Sequence, residues 1–407
     1  MSSPLITGTR LAVAAGCACA AALLAAVVAA PTADVTTSSP LRPDGGWRVV
    51  LVAGVLLAFA AYLAGLVLVS RRPPGTRIVV VIAVLMQLAP LTAPLLLSTD
   101  AYTYWMYARI ANEHEGNPYE DPPSDYPRDI AFPLMGSSWH STTSLYGPAF
   151  TIGSEGVAAV VGDSPDAAAW AFKAAAAAGM IAIVLLATSL APRPAFGAAF
   201  VGWNPLLPLH FAGGGHNDAW MIALVLCGLL LSRRNRPQLG GLAWATAVGT
   251  KWVPLVLLPL HWLASRRRGS PLGLTGFVLG IAALGLVATL HYGTAWLSAA
   301  GRLSSQARST GSVGLSDVLR DIGLGHRAIL AVLALGFAIV YAGLLVEAWR
   351  GRARLGLAAG TFALAQGWLN PWYALWPLAL AAIEEDRAAK GLALLLSAYL
   401  IRDALPL

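Results

Sequence analysis

The sequence predicts an all-α, polytopic transmembrane helix bundle of roughly 10–12 spans with one long extracytoplasmic loop. Of its 407 residues, 57% are hydrophobic and only 12% are charged, which is typical of a protein embedded in a lipid bilayer. Apolar runs of about 20 residues, long enough to cross a bilayer as helices, recur along the chain. The formal charge of +7 is concentrated at the ends of these runs, so it indicates membrane orientation and not a nucleic-acid partner.

The apolar runs make the whole chain, 1–407, one polytopic membrane domain without a soluble domain. The predicted spans are 11–31, 47–69, 78–97, 166–191, 217–231, 271–292, 328–346, 354–369, 371–383 and 389–401. The first run follows Arg10 and ends in small residues, as a signal peptide does, but it is long for one and Pro31 disfavours cleavage. We therefore predict that it is retained as a span.

Arginine clusters at the ends of the spans orient the bundle. They lie at Arg71/Arg72/Arg77, Arg233/Arg234/Arg236, Arg266/Arg267/Arg268 and Arg350/Arg352/Arg354. The positive-inside rule assigns such clusters to the cytoplasm. The segments 98–145, 213–218, 293–327 and 369–376 then face outward, and the protein is expected in the plasma membrane with its active site outside.

Two apolar segments do not fit simple crossings. Only an odd number of crossings fits between 145 and 192, so we predict that 146–162 is an interfacial or re-entrant piece. The segment 239–264 lies between two cytoplasmic arginine clusters, and we therefore predict a hairpin of two short helices. The sequence "GTKW" at 249–252 is placed at its turn.

The outward segment 98–145 is the most polar stretch of the chain. Its 48 residues carry seven acidic residues against Arg109 and Arg128. Loops of this length in compact proteins usually have a function. We predict that 98–145 is an extracytoplasmic catalytic loop that bears amphipathic helices.

Asp100 opens this loop two residues after an apolar run. Tyr102, Met106 and Ile110 follow at helical spacing, which predicts an amphipathic helix with Asp100 just above the bilayer. A partly desolvated carboxylate there can accept a proton from an attacking hydroxyl group. The alternative is that Asp100 only caps the helix.

The sequence "GGGHND" at 213–218 gives a second candidate. His216 and Asp218 are placed at the edge of an active site, or Asn217 simply caps the following helix. A metal site formed by Asp100, His216 and Asp218 is an alternative without support from a known ligand spacing. We predict no metal and no other cofactor.

Lys251 lies within an apolar segment, which leaves two interpretations. It either extends its ammonium group to the cytoplasmic interface, or it binds a lipid phosphate. Arg302 and Arg308 in the outer loop are alternative phosphate ligands. The sequence "NPWYALW" at 370–376 either forms an aromatic belt or contributes to the outward-facing site.

An ordered series of short motifs carries a resemblance to a known family. An aspartate at the end of a span is followed by "YTYWMYAR", "NPY", "SLYGPAF", "NPLLPLHFAGGGHND", "TKWVPLVLLPL" and "NPWYALWPL". Over about 78–383 the chain resembles the GT-C membrane glycosyltransferases. It is most similar to the actinobacterial polyprenol-phosphomannose-dependent α-mannosyltransferases that elongate the mannan cores of lipoglycans. It departs from the pattern in two places, because the acidic loop follows the third hydrophobic run and Asn370 stands where a histidine is expected.

The resemblance implies inverting transfer of a sugar, mannose first among the candidates, from a polyprenyl-phosphate donor to a glycolipid or polysaccharide acceptor. It makes Asp100 the general base and the acidic loop a cap over the acceptor. Lys251, Arg302 and Arg308 become candidate ligands of the donor phosphate. The matching positions expected to bind substrate are Tyr102, Tyr104, Asn117, Tyr119, Tyr146, His216, Asn217, Asp218, Trp372 and Tyr373.

A transporter or flippase of a lipid-linked sugar is the competing interpretation. Such a protein favours paired repeats and ionisable residues at the middle of the membrane. This sequence has one large asymmetric loop and few charges within its spans. We therefore favour an enzyme, with a scaffold that binds another transferase as a third possibility.

Overall fold

The computed structural model describes residues 4–32, 45–267, 273–299, 301 and 313–405 of the chain. Within these ranges the regular structure is helical and no β-strand occurs. Five of the described helices are long and apolar enough to cross a membrane, and they coincide with the predicted spans 11–31, 47–69, 166–191, 271–292 and 328–346. The chain is therefore an all-α polytopic membrane protein, as predicted.

The helices differ widely in length. In chain order they are α1 (Pro4–Ala29), α2 (Gly45–Arg71), α3 (Thr76–Leu88), α4 (Asp100–Asn112), α5 (Pro148–Val161), α6 (Pro165–Leu190), α7 (Pro194–Gly202), α8 (Leu206–His210), α9 (Asp218–Arg233), α10 (Pro237–Thr250), α11 (Pro254–Arg267), α12 (Leu274–Tyr292), α13 (Leu315–Asp321), α14 (His326–Trp349), α15 (Leu355–Leu364), α16 (Leu375–Ala382) and α17 (Arg387–Leu400). The phosphate ligands considered at Arg302 and Arg308 lie outside the described residues.

Three predicted spans are shorter than expected. In the segment 354–369 only the 10 residues of α15 are helical. The segment 78–97 is not one continuous helix, because α3 has 13 residues and passes into a 3-10 turn at Ala89–Thr92 that contains Pro90. A helix of that length extends about 20 Å, less than the ~30 Å hydrocarbon core. The segment 371–383 similarly consists of a 3-10 turn followed by α16, which has 8 residues.

The predicted hairpin at 239–264 is confirmed as two short helices, α10 and α11, with a break at Lys251. Close contacts of two glycines of α10 with α12 show the relative direction of these two helices. A Cβ atom on Gly241 would lie 2.0 Å from the Gly273 carbonyl oxygen, and one on Gly249 would lie 2.1 Å from Leu284 Cδ2. Hence α10 and α12 run side by side in the same direction. Since only a short segment joins α11 to α12, α11 must return to the level at which α10 began.

The arginine-rich end of the bundle is separate from the end that carries Asp218. Helix α9 begins at Asp218 and ends at Arg233, and its 16 residues extend about 24 Å. Arg233 donates to the Leu190 carbonyl oxygen at 2.6 Å. Arg354 and Asp386 line the same cavity as Arg233 at this end. Arginines of two clusters, Arg233 and Arg354, therefore lie together at the end of α9 opposite Asp218.

The loop 98–145 packs more tightly than its polarity predicted. Every residue of α4 from Ala101 to Ile110 is buried, so the prediction of a half-exposed amphipathic helix is wrong. The reason is that later loop residues cover its outer side. Arg109 donates to both carboxylate oxygens of the buried Asp129 at 2.9 Å, which holds these later residues over α4. Arg109 also donates to Asp163 at 2.6 Å, and this contact ties α4 to the segment between α5 and α6.

Candidate active site

Asp100 is the first residue of α4, and its carboxylate contacts two side chains, those of Tyr104 and His216. Thr99 occupies the N-cap position. Asp100 Oδ2 lies 3.1 Å from His216 Nδ1 and accepts a hydrogen bond from the Tyr104 hydroxyl at 3.3 Å. The interpretation of Asp100 as only a helix cap is therefore wrong. Its position at a helix N-terminus still favours the negative charge.

The surroundings of Asp100 keep it ionised. Burial raises the pKa of this carboxyl group, but His216, Lys251 and the Tyr104 hydroxyl together lower the pKa below its ordinary value. Burial, followed by the nearby Tyr146 and Asp100, holds the pKa of Tyr104 well above its usual range. Tyr104 therefore remains a proton donor, and Asp100 is available as a proton acceptor at neutral pH.

One backbone hydrogen bond and a tight glycine turn bring Asp100 and His216 together. The Leu96 N–H donates to the Gly213 carbonyl oxygen at 2.9 Å, which joins the segments that carry the two residues. A Cβ atom on Gly213 would lie 2.0 Å from the Leu209 carbonyl oxygen, and Gly215 has a φ of +78°. The "GGG" sequence therefore has a structural function, because side chains at these two positions would prevent the tight turn before His216.

His216 is held between Asp100 and an aromatic ring. Its imidazole stacks on the Trp372 ring with centroids 3.7 Å apart and planes 21° apart. Nδ1 is within ion-pair distance of Asp100, although the ring N–H is not aligned for a hydrogen bond. Nε2 has no hydrogen-bond partner among the described residues, and neither ring nitrogen of the buried His210 has one.

Asp218 and Lys251 form the second charged pair of the site. Lys251 Nζ lies 2.8 Å from Asp218 Oδ2, and Asp218 Oδ1 accepts a hydrogen bond from Trp376 Nε1 at 2.7 Å. The Lys251 ammonium lies 5.6 Å from the centroid of the Tyr373 ring. The lysine thus points into the bundle, and its interpretation as a residue that extends to the membrane interface is wrong.

One member of each charged pair, Asp100 and Lys251, lines a shared cavity of about 200 Å³. Its lining residues are Asp100, Tyr104, Ser138, Trp139, Leu145, Tyr146, Lys251, Trp368, Asn370, Trp372 and Tyr373. Ser138, Trp139, Leu145 and Trp368 were not predicted, because they reach the cavity through the path of two loops. Trp139, next to polar residues in the outward-facing segment 98–145, was the available signal, whereas Trp368 lies in the predicted span 354–369. The cavity combines a carboxylate, an ammonium group and aromatic faces, which can bind a sugar and an anionic leaving group.

Three predicted site residues of the loop 98–145 lie elsewhere. Tyr102 is buried in the packing around α4. Asn117 Nδ2 donates to the Tyr292 carbonyl oxygen at 2.9 Å, and the Tyr119 hydroxyl donates to the Tyr146 carbonyl oxygen at 3.0 Å. These two contacts attach the loop to α12 and to the segment before α5. None of the three residues lines the cavity with Asp100.

Asn217 occupies the N-cap position of α9 but does not cap the helix with its side chain. The Asn217 side chain makes no hydrogen bond to the first turn of α9. Among the described residues, no group of three His, Cys, Asp or Glu side chains could hold a metal ion. Asp100 and His216 form one pair, whereas Asp218 is neutralised by Lys251. A metal site formed by Asp100, His216 and Asp218 therefore gains no geometric support.

The comparisons with known proteins agree on one family. The model of the family "alpha-(1->6)-mannopyranosyltransferase, N-terminal domain" matches residues 6–267. The alpha-(1->6)-mannopyranosyltransferase A of Mycobacterium tuberculosis is 28% identical over 330 residues, which cover 71% of this chain and 63% of the relative. The alpha-(1->6)-mannopyranosyltransferase B of Corynebacterium glutamicum is 26% identical over 341 residues, covering 71% of this chain and 55% of the relative.

A shorter match points the same way. The alpha-(1->6)-mannopyranosyltransferase A of Corynebacterium glutamicum is 30% identical over 169 residues, covering 40% of this chain and 34% of the relative. No solved structure matches the chain. The chain spans less than two thirds of the length of these curated relatives. Because the family model covers more than half of the chain, the chain belongs to the alpha-(1->6)-mannopyranosyltransferase family.

Proposed function

We propose that this protein transfers mannose from a polyprenyl-phosphate donor to a glycolipid or lipoglycan acceptor at the outer face of the membrane. Family membership supports the sugar and the reaction class, since the relatives carry the name alpha-(1->6)-mannopyranosyltransferase. The observation that carries the proposal is the pairing of a carboxylate and an ammonium group, Asp100 and Lys251, on one cavity. A sugar transfer of this kind needs a base for the acceptor and a counter-charge for the departing phosphate.

The proposed reaction is a single displacement with inversion. An acceptor hydroxyl oxygen attacks the anomeric carbon of the mannose while Asp100 takes the hydroxyl proton. The bond between the anomeric carbon and the phosphate oxygen breaks, and its electron pair leaves with the polyprenyl phosphate. An α-linked product then requires a β-linked donor. The lowered pKa of Asp100 supports this role because it keeps the base ionised before the acceptor arrives.

Lys251 is proposed to bind the donor phosphate. Its ammonium group has three N–H donors, of which Asp218 receives one, and its side chain is 17% exposed. The remaining donors are available to an anion in the cavity. Asp218 and Trp376 act as positioning residues, since together they hold the lysine in one orientation.

The outer face is proposed from charge. Arginines of two clusters, Arg233 and Arg354, lie at the end of α9 opposite Asp218, and such clusters mark the cytoplasmic side. A site at the outer end has no access to cytoplasmic nucleotide sugars. A donor anchored by its own lipid can reach this site from within the bilayer, which favours a polyprenyl-phosphate sugar.

The proposal is tested with membranes that contain or lack this protein. They are incubated with radiolabelled polyprenyl-phosphomannose and a mannan-type glycolipid, and the linkage in the product is analysed. We expect protein-dependent incorporation of α-linked mannose. A protein that moves the intact lipid-linked sugar across sealed vesicles without transferring it would be a flippase, and this outcome would overturn the proposal.

A further inference from the structure

We propose that a second, largely apolar groove between α5, α6, α9 and α10 binds the isoprenoid chain of a polyprenyl-phosphate substrate. This inference rests on the proposed function and assigns a place to the lipid part of the donor. The groove has a volume of about 390 Å³. It is distinct from the cavity that contains Asp100 and Lys251, although the two are lined by neighbouring residues of the chain.

The walls of the groove suit a branched hydrocarbon. Apolar side chains come from three helices, with Phe150 and Val157 on α5, Phe172 and Ala176 on α6, and Leu224 on α9. Among the described residues, no Asp, Glu, Lys or Arg lines it. Helix α6 is long enough to cross the membrane, and Phe172 and Ala176 lie about 11 and 17 Å along it from Pro165, which is within the reach of lipid chains. An isoprenoid chain in it would bury apolar surface against these walls.

The side-chain amide of Asn217 lines the groove without a hydrogen-bond partner in the described part of the chain. Asn217 is 2% exposed, and neither its Oδ1 nor its Nδ2 atom has a hydrogen-bond partner among the described residues. A buried amide without partners is unfavourable unless a ligand or water completes its hydrogen bonds. Its N–H donors match a phosphate oxygen, and its carbonyl oxygen matches a sugar hydroxyl. The groove therefore fits an apolar chain that ends in a polar head, and not a purely hydrocarbon molecule.

The groove is continuous with the proposed chemistry. His216 lines the groove and lies 3.1 Å from Asp100 of the other cavity. Thr250 also lines the groove, and the next residue is Lys251. The end of the groove marked by Asn217 is thus next to both the proposed base and the proposed phosphate ligand. A polyprenyl chain in the groove would present its phosphate where Lys251 can bind it, and this adjacency favours the donor over an ordinary bilayer lipid.

A photoreactive lipid tests the location independently of catalysis. The full-length protein in phosphatidylglycerol vesicles is irradiated with polyprenyl phosphate that carries a diazirine in its first isoprene units, and the labelled peptides are identified. We expect labels on α5 and α6 residues that line the groove, and competition by unlabelled polyprenyl phosphate. Labels elsewhere, or labels that excess phosphatidylglycerol removes equally well, would overturn the inference.

A pair of matched variants on α5 tests the same groove by kinetics. Val157→Trp fills the groove, whereas Val160→Trp changes a side chain that is 87% exposed. For Val157→Trp we expect KM for a long-chain donor to rise about tenfold and KM for a ten-carbon donor to change less than about threefold. Val160→Trp should leave both within about twofold of wild type.

The outcomes separate this inference from the proposed function. If Val157→Trp affects the long and short donors equally, the chain does not lie in the groove, but mannosyl transfer still stands. If the wild-type protein transfers mannose from no polyprenyl-phosphate donor, the proposed function fails, while the photolabelling still shows whether the groove binds polyprenyl phosphate.

Discussion

The Lys251 ammonium lies 2.8 Å from the completely buried carboxylate of Asp218. A buried charge depends on its partner, so removing either residue leaves the other uncompensated. Trp376 completes the arrangement by donating to the second carboxylate oxygen. The lysine side chain is therefore held in one position at the cavity. Its ammonium group does not need to change conformation to face a ligand there.

Loss of Asp218 should destabilise the protein as well as inactivate it. Asp218→Asn leaves the Lys251 charge without its partner, which typically costs about 3–5 kcal/mol for a buried pair. Thermal unfolding in detergent should therefore occur at a lower temperature. The double variant Asp218→Asn/Lys251→Met should regain much of the stability and none of the transfer activity. A double variant with wild-type transfer would show that neither residue is needed for catalysis.

Substitutions at Lys251 should affect the use of the donor. Lys251→Ala removes the counter-charge to the phosphate and should weaken donor use strongly, by about 10²-fold or more in kcat/KM. Lys251→Arg should restore part of the activity, since the charge returns with a different shape. The measurement is transfer rate against donor concentration in matched membranes. If Lys251→Gln has wild-type kinetics, Lys251 does not bind the donor phosphate, and Arg302 and Arg308 become the preferred candidates.

His216 should control the acidic side of the pH profile. In the proposed mechanism transfer requires ionised Asp100, so we expect activity to be lost as the pH falls through the pKa of this group. Burial raises that pKa in the wild type, but His216, Lys251 and Tyr104 together bring it below its ordinary value. His216→Gln removes the largest of these lowering effects, so the pKa of Asp100 should rise and activity should fail at a higher pH. Rate against pH for both proteins checks this, and an unchanged acidic limb would contradict the role of His216.

Membrane orientation can be tested by cysteine labelling. The native Cys17, Cys19 and Cys227 are first replaced, and single cysteines are placed at Asp125, Arg234 or Arg267. A membrane-impermeant reagent should label position 125 in intact cells. It should label positions 234 and 267 only after the membrane is permeabilised, because arginine clusters mark the cytoplasmic side. Outside labelling at 267 would contradict the proposed orientation of the α10–α11 hairpin.

The helix bundle was largely predictable because its physical cause is local. Long apolar runs must become helices in a bilayer, where every backbone polar group needs an internal partner. The hairpin at 239–264 was also predictable, because arginine clusters before and after it place both of its ends on the same side of the membrane. The ends of α3 and α16 were harder to predict, because proline-containing 3-10 turns replace part of each predicted span.

The candidate site was predictable in part. Asp100, His216, Asp218 and Lys251 could each be identified from their place in a motif, but their pairing could not. Asp218 and Lys251 are 33 residues apart in sequence and meet because α9 and α10 are antiparallel. No local pattern encodes this contact. For the same reason the sequence did not predict that the paths of two loops bring Trp139 and Trp368 to the cavity, or that α4 is buried on all sides.

The central claim is that Asp100 is the general base. The rate of mannose transfer by the Asp100→Asn variant tests this claim most directly. The amide keeps the size of the side chain and removes its basicity, so the transfer rate should fall by about 10²–10⁴-fold while membrane insertion and donor binding are retained. Asp125→Asn, an exposed change in the same loop, is the matched control and should keep wild-type activity. An Asp100→Asn protein that transfers mannose within about threefold of the wild-type rate would contradict the claim.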